Sequence, residues 1–596
     1  MKLTMTRKKY YSLLSICMMS LIPTISFFLL KANLGNGNNN YLKLILTFIV
    51  TYICITLCSK RPIPKRALLF SVIGGFIYAF SQVYATSLHE HFQSYRSIKE
   101  LFLPLCLAFG YSVLSISILL TILLYLSDIK DYISMKYNSE TRKYRNSFVF
   151  MFYFVTIFVS YIPMFLAYYP ILLQYDGVDQ LRQCALDWFT KWHPLAHTLL
   201  LDTFYSFGLS IGNLSLGMAI YSILQMATLS FAFAYCLFIL YQNGIPRLCR
   251  FVILCFFAIF PVNGIFAITT TKDVFFAAFF LLFILQLVNH FIFTNHITCL
   301  QAITTTILGC LVLLFRNNAI YTLLASLPIL LFFIKNMRFK LFAIFVGSFL
   351  SYTCINNVLV MSVNAVDTSN ITEMLSVPLM QMVKASQTDG ELMDIDLRTQ
   401  LLTYIPEDQL QANGIISDSV KSSADNALIC AQPLDFIKLW LEIGLQYPME
   451  YIDAFGILTE GYWYMEDEYH ALIYGKYMLL GHRAIGEGEE IQKYNLFPAY
   501  KNMIDGLFLE NEYSEIPFLS ALCQPALYFW ILVGYIWIIW YEKNSSLFIP
   551  AILCTFYYAT LFLGPVALVR YIYCIIVVAP LLICLLLTNI STRDSS

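Results

Sequence analysis

Two aspartates, Asp176 and Asp179, stand three residues apart in QYDGVDQL, directly after a long apolar run. If that segment is helical they share a face, and a carboxylate so placed could act as general base toward a hydroxyl nucleophile. The pair could instead hold a divalent cation such as Mg or Mn, or be two solvated acids beside a glycine turn. His193 and His197 follow, one helical turn apart. That is the spacing of a metal-binding pair, but no third ligand lies in the same helix. His193, with Pro194, reads more simply as shaping the loop and bonding an aspartate or a substrate; for His197 a polar role in the site and a plain buried ring stand equally open. Further along, Lys272 with Asp273, Arg316 with Asn317 and Asn318, and Arg570 before Tyr571 each stand where an apolar run begins or ends. Charges at that boundary are costly unless paired. They could line a site for an anionic group and stabilise charge that develops on it, or reach the headgroups or pair with an acid such as Asp273.

The elements that must position these residues are membrane spans. The 596 residues are 59% hydrophobic and 12% charged, where a soluble domain carries roughly 25% charged residues. Apolar runs long enough to cross a hydrocarbon core recur throughout. They predict about fourteen transmembrane helices, near 11–30, 41–58, 67–87, 101–126, 147–169, 218–241, 249–268, 274–294, 298–314, 319–334, 341–360, 523–541, 547–563 and 571–588. The basic start MKLTMTRKK precedes a run too long for a signal peptide and lacks a small-residue cleavage site, so it reads as a retained first span. Lys and Arg cluster in SKRPIPKR, DIKDYISMKYNSETRKYRNS, QNGIPRLCR and KNMRFK, which puts those connections and both termini in the cytoplasm. The loop 170–217, the turns 269–273, 315–318 and 564–570, and the block 361–520 then face outward. HTLLLDTFYSFGLSI is apolar but short and interrupted by Asp202, so 180–212 reads as helices lying along or dipping into the interface.

Charge divides the chain further. Between Met361 and Ser520 there are 25 acids against 8 bases, so the remainder has 12 acids and 29 bases. Such a block, flanked by spans, reads as a separate water-facing domain, and its three-to-four apolar spacing predicts helices. The chain thus divides into an N-terminal four-helix membrane region (1–146), a membrane core (147–360), an acidic extracytoplasmic domain (361–520) and C-terminal transmembrane helices (521–596). Most of the sixteen cysteines sit singly inside spans, where Cys packs as a small hydrophobe. Cys184 and Cys430 are the clear candidates for the outward side. No repeat, low-complexity tract or nucleic-acid motif appears.

An outer loop that opens on acids and closes on His-Pro-Leu before an apolar helix resembles the GT-C superfamily of polyprenyl-phosphate-dependent glycosyltransferases. The matching residues are Asp176 and Asp179, then His193-Pro194-Leu195. The likeness is closer still to an uncharacterised bacterial group of GT-C-like multispan proteins, through PILLQYDGVDQ, HPLAHTLLL, TTKDVFFAAFF, LFRNNAIY and YPMEYIDAFGILTEGYWY. It covers most of 160–470 and the last spans. Two departures stand out: the acids are Asp-x-x-Asp rather than adjacent or alternate, and HPP is HPL.

The resemblance implies a GT-C-like fold and transfer of a sugar from a polyprenyl-phosphate donor to a cell-envelope glycan, lipid or protein, with membrane lipids around the site. It favours Asp176 as base. Lys272, Asp273, Arg316, Asn317, Arg570, His193 and His197 would bind substrate, the cations lining the donor phosphate. Trp188, Trp192 and Tyr462-Trp463-Tyr464 could stack on a sugar or form an interfacial aromatic belt. A flippase or transporter of lipid-linked glycans is the alternative, but it calls for ionisable residues at the midplane, and these are nearly absent. A polysaccharide polymerase would share donor and compartment.

Overall fold

The computed structural model describes residues 15–26, 28, 41–91, 102–137, 146–334, 337–368, 371–387, 393–412, 414–465 and 491–587. The basic start 1–14, the connection 138–145, the segment 466–490 and the tail after 587, all used in the charge argument, lie outside these residues. The described chain is helical, with three isolated bridges as its extended pairings.

Helices α1 (Ser15–Ser26), α2 (Tyr41–Cys58), α3 (Lys65–His91) and α4 (Phe102–Tyr137) form the N-terminal region. There follow α5 (Asn146–Ala167), α6 (Tyr175–Leu186), α7 (Leu195–Ser210), α8 (Leu214–Gln242), α9 (Arg247–Ile259), α10 (Pro261–Ala267), α11 (Lys272–Val288), α12 (Cys299–Phe315), α13 (Ala319–Phe333) and α14 (Arg338–Ser362). Short helices α15 (Ser376–Ser386), α16 (Ile395–Tyr404), α17 (Asp418–Ser423), α18 (Asn426–Ala431), α19 (Pro433–Gln446) and α20 (Pro448–Thr459) build the acidic block. The chain closes with α21 (Pro498–Phe508), α22 (Pro517–Cys523), α23 (Pro525–Glu542), α24 (Phe548–Leu561) and α25 (Val569–Leu587).

Among the described residues, eight helices are long and apolar enough to cross a membrane: α3, α4, α5, α8, α11 with its helical continuation to Phe293, α14, α23 and α25. The pair α9 and α10 passes the same test together, bent by 54° at Phe260–Pro261. Pro261 explains the break, because it has no N–H to continue the ladder. Five shorter apolar helices, including α12, α13 and α24, complete the set. Each of the fourteen apolar runs read from the sequence therefore coincides with a helix or this bent pair, and eight have full spanning length.

Lipid is as apolar as Leu, so helices in a bilayer associate through close packing and polar contacts rather than through water exclusion. The α12–α14 seam illustrates this. Gly309 leaves room for Ser348, whose hydroxyl donates across the seam to the Thr306 carbonyl (3.1 Å). The two most enclosed spans are α11 and α25, with 78% and 89% of their apolar windows buried. They pack on each other, and α11 also lies against α8, α12 and α24. Both begin at the same end of the bundle, where α12 ends and α13 begins.

Helices α15 to α20 have their own apolar core, with Leu379, Met382, Leu401, Val420 and Ile443 all buried. In contrast, Ile504 and Phe508 of α21 and the nearby Tyr513 join the membrane-helix core. The α15–α20 unit is tied to the bundle by its last residues. Trp463's carbonyl accepts from Gln82 (3.0 Å) and Trp530 (2.8 Å), and Tyr462's hydroxyl donates to Val566 O (3.1 Å). Tyr462 and Tyr464 are buried in this junction, so these two rings serve packing rather than an open stacking surface. Trp188 and Trp192 stay partly exposed.

Candidate functional site

The charged residues converge because helix ends converge. The first turn of α6 carries Asp176, the first residue of α11 is Lys272, and Arg570 is the second residue of α25. A helix N-terminus carries partial positive charge, so a lysine and an arginine there are unfavourable unless an anion faces them. Asp176 is that anion. Its Oδ2 accepts from Lys272 Nζ at 2.9 Å and lies 2.9 Å from Arg570 Nη1. Burial works against its charge, yet Arg570 and Lys272 beside it hold the carboxyl well below the usual carboxylate range. Its Oδ1 accepts nothing among the described residues.

Each cation also has an uncharged holder. With its amide oxygen turned to the guanidinium, Gln174 accepts from Arg570 Nε (3.1 Å) and Nη1 (2.7 Å). Arg570 Nη2 donates to the Tyr571 hydroxyl (2.9 Å). Lys272 Nζ donates to His193 Nδ1 at 2.9 Å. An ammonium only donates, so His193 is neutral with its proton on Nε2. Burial, together with the Lys272 charge, pushes this imidazole down to about 3 from 6.5. The folded ring therefore binds fewer protons than the unfolded one across that interval, and its contribution to stability is full above 6.5 and lost as pH falls below it. The unfolding midpoint of wild type should drop between about pH 7 and pH 5 more steeply than that of His193→Gln. Equal slopes would mean the ring is not held neutral.

Arg316 and Asp273 form a second, deeper ion pair, with side chains 8% and 1% exposed. Arg316, which ends α12, also donates to Asn318 Oδ1 (2.9 Å), and Asn318 donates to Thr560 of α24 (2.9 Å). Its guanidinium lies over the rings of Phe276, Tyr557 and Tyr571. The pair thus fastens α11, α12, α13, α24 and α25 together. Tyr571 links the two clusters, since Arg570 also sits over its ring, at 4.6 Å. Three cations face two carboxylates here, which leaves one positive charge in excess.

The other sequence candidates fall elsewhere. Asp179 is more than half exposed and pairs with Arg182 at 3.3 Å, so it does not join Asp176. A metal does not fit the donors: Asp176 faces two cations, and no three His, Cys, Asp or Glu groups among the described residues come close enough to hold an ion. His197 is fully buried; its Nδ1 meets Gln180 (2.9 Å) and its Nε2 meets Tyr221 (2.9 Å). Tyr221 donates to Gln225 (2.9 Å), which donates to the carbonyls of Phe266 and Thr269. His197 therefore braces α6, α7, α8 and α10 under the site rather than lining it. Asn317 donates to the Trp192 carbonyl (3.3 Å), holding the loop before α7. That loop is also bridged to the segment after α14, through Val366 N to Phe189 O and Lys191 N to Val366 O, each 2.9 Å. Cys184 is buried, Cys430 is exposed, and both are free thiols.

Gly177 explains how Asp176 gets so close. A Cβ at this position would overlap the hydroxyl and carbonyl of Thr270, whose Oγ1 also accepts from Gln174 N (3.2 Å) and donates to Leu172 O (3.1 Å). Gly177→Ala should push α6 off Thr270 and cost about 1–3 kcal/mol by overpacking, measured by unfolding in mixed micelles. A neutral result would mean α6 can shift without penalty.

A family model described as a family of unknown function (DUF6020) matches residues 184–595. The chain belongs to that family. The matched stretch of this DUF6020 chain holds His193, Lys272, Asp273, Arg316 and Arg570, and it begins after Asp176. No curated protein and no solved structure matches the chain.

Sequence reasoning missed several neutral members of the site: Gln174, Thr560 and the Gln180–Tyr221–Gln225 network. Gln225 did leave a signal, because an amide in the middle of an apolar span needs a partner.

Proposed function

We propose that this chain is a GT-C-like membrane glycosyltransferase that moves a sugar from a polyprenyl-phosphate donor to a cell-envelope glycan, lipid or protein on the outer face of the cell membrane. One observation carries this reading: Asp176 bridges Lys272 and Arg570 at a junction of helix N-termini while its other oxygen meets no donor among the described residues. In transfer, that carboxylate takes the proton of the acceptor hydroxyl as the oxygen attacks the anomeric carbon. The bond from that carbon to the phosphate oxygen breaks, and its electron pair leaves with the phosphate. Lys272 and Arg570 stabilise the charge that develops there. Arg316 acts behind them, as the anchor of the helix ends.

In this reading the bent pair and the five shorter apolar helices also cross the bilayer, giving fourteen spans. Both termini lie in the cytoplasm and the acidic block lies outside. The acidic block is well placed to present the acceptor: Ser417 N donates to Pro565 O (3.0 Å), just before Arg570. The test is transfer of labelled sugar from a polyprenyl-phosphate donor in membranes holding equal amounts of wild type, Asp176→Asn and Asp179→Asn. Loss in the first variant only is expected; full activity in both variants would end the proposal.

A further inference from the structure

We propose that Asp176 occupies the cation seat of the donor phosphate, so that phosphate and carboxylate exchange places on Lys272 and Arg570 during each turnover. The inference rests on the transferase reading and adds to it how the base is switched on. A carboxylate whose Oδ2 is held by an ammonium and a guanidinium, each at 2.9 Å, is a poor proton acceptor. It must be released before it can act as a base, and the structure indicates what releases it.

One ammonium hydrogen of Lys272 and one Nη2 hydrogen of Arg570 meet no acceptor among the described residues. A phosphodiester can therefore dock on these two donors without first breaking the existing pair. As the sugar–oxygen bond breaks, the phosphate gains a second negative charge and outcompetes the singly charged carboxylate for both cations. Asp176 loses its counter-charges and faces a dianion, which makes it basic as the acceptor proton arrives. That proton passes to the carboxylate, the acceptor oxygen bonds the anomeric carbon, and the bond's electrons stay on the phosphate.

The neutral holders give the exchange its geometry. Gln174 keeps Arg570 aimed and His193 keeps Lys272 aimed after Asp176 lets go, and neither carries a charge that would compete with the phosphate. Arg316 takes no part, because Asp273 occupies it.

The test measures binding of farnesyl phosphate and of inorganic phosphate to the full-length protein in nanodiscs. Removing the internal competitor frees the cations, so Asp176→Asn should bind farnesyl phosphate about tenfold tighter or more than wild type. Asp176→Ser, which removes the same charge with a smaller side chain, should do likewise. Lys272→Gln and Arg570→Gln should weaken binding by a similar factor, and Asp179→Asn should match wild type. Unchanged or weaker affinity in folded Asp176→Asn and Asp176→Ser overturns the exchange. Tightening toward inorganic phosphate alone overturns a lipid-linked phosphate as the displacing group. The two readings fail separately. Unchanged affinity in Asp176→Asn with its transfer lost removes the exchange and keeps the transferase; tighter binding in Asp176→Asn with no transfer by wild type removes the transferase and keeps the shared phosphate seat.

Discussion

Arg316→Ala is expected to be among the most destabilising single substitutions in the chain, costing on the order of 3–5 kcal/mol in equilibrium unfolding from mixed micelles. The reason is what it leaves behind. Asp273 is 1% exposed and would keep a charge with no counter-ion. The change also removes the link through Asn318 to Thr560 and a cation lying over three aromatic rings. Asp273→Ala should cost a comparable amount, since it strands the guanidinium instead. Replacing both, as Asp273→Leu with Arg316→Met, should recover much of the loss, because a buried ion pair contributes little net stability over apolar groups of similar volume. The double-mutant cycle then reports a coupling energy well above that of exposed pairs. Single variants losing under about 1 kcal/mol would class the pair with surface salt bridges and refute its role as the fastening of the five helices.

How much of this was legible in the sequence follows from the cost of charge near lipid. Lys272, Arg316 and Arg570 stood out because nothing in an apolar run tolerates them without a partner, and the structure brings all three to one end of the bundle. Their partners were only half legible. Asp273 was a named candidate for pairing with a cation, but periodicity cannot tell which of three cations it meets across 43 residues of chain. Asp179 shows the limit of the spacing argument. A three-residue offset puts two side chains on neighbouring rows of a helix, yet the buried face of α6 runs through Gly177, Gln180 and Cys184, and Asp179 falls on its solvent edge. Neutral side chains left almost no trace. Gln174 and Gln180 lie in a polar loop and helix, where amides cost nothing to expose, so only coordinates reveal that one holds Arg570 and the other His197. Helix existence was the most readable level, because eighteen apolar residues in a row have few alternatives. The bend at Pro261 was hidden inside one of those runs.

Asp176→Asn should lower the turnover number for sugar transfer by on the order of 10²–10⁴-fold, the range of a lost general base. The same variant should lower the KM for the polyprenyl-phosphate donor, because the amide no longer holds Lys272 and Arg570 against the incoming phosphate. A fall in both parameters marks an interaction that opposes substrate in the ground state and serves it in the transition state. No structural collapse produces that pattern, since a misfolded site weakens donor binding along with turnover. Lys272→Gln should do the opposite to KM, raising it, while also reducing turnover through lost charge stabilisation on the leaving phosphate. Asp179→Asn, altering an exposed carboxylate that pairs with Arg182, should leave both parameters near wild type. Initial rates over a range of donor concentrations, in membranes holding equal amounts of each protein, separate these outcomes. If turnover in Asp176→Asn survives while Asp179→Asn loses it, the base is the exposed carboxylate and the bridged one serves only to anchor the cations.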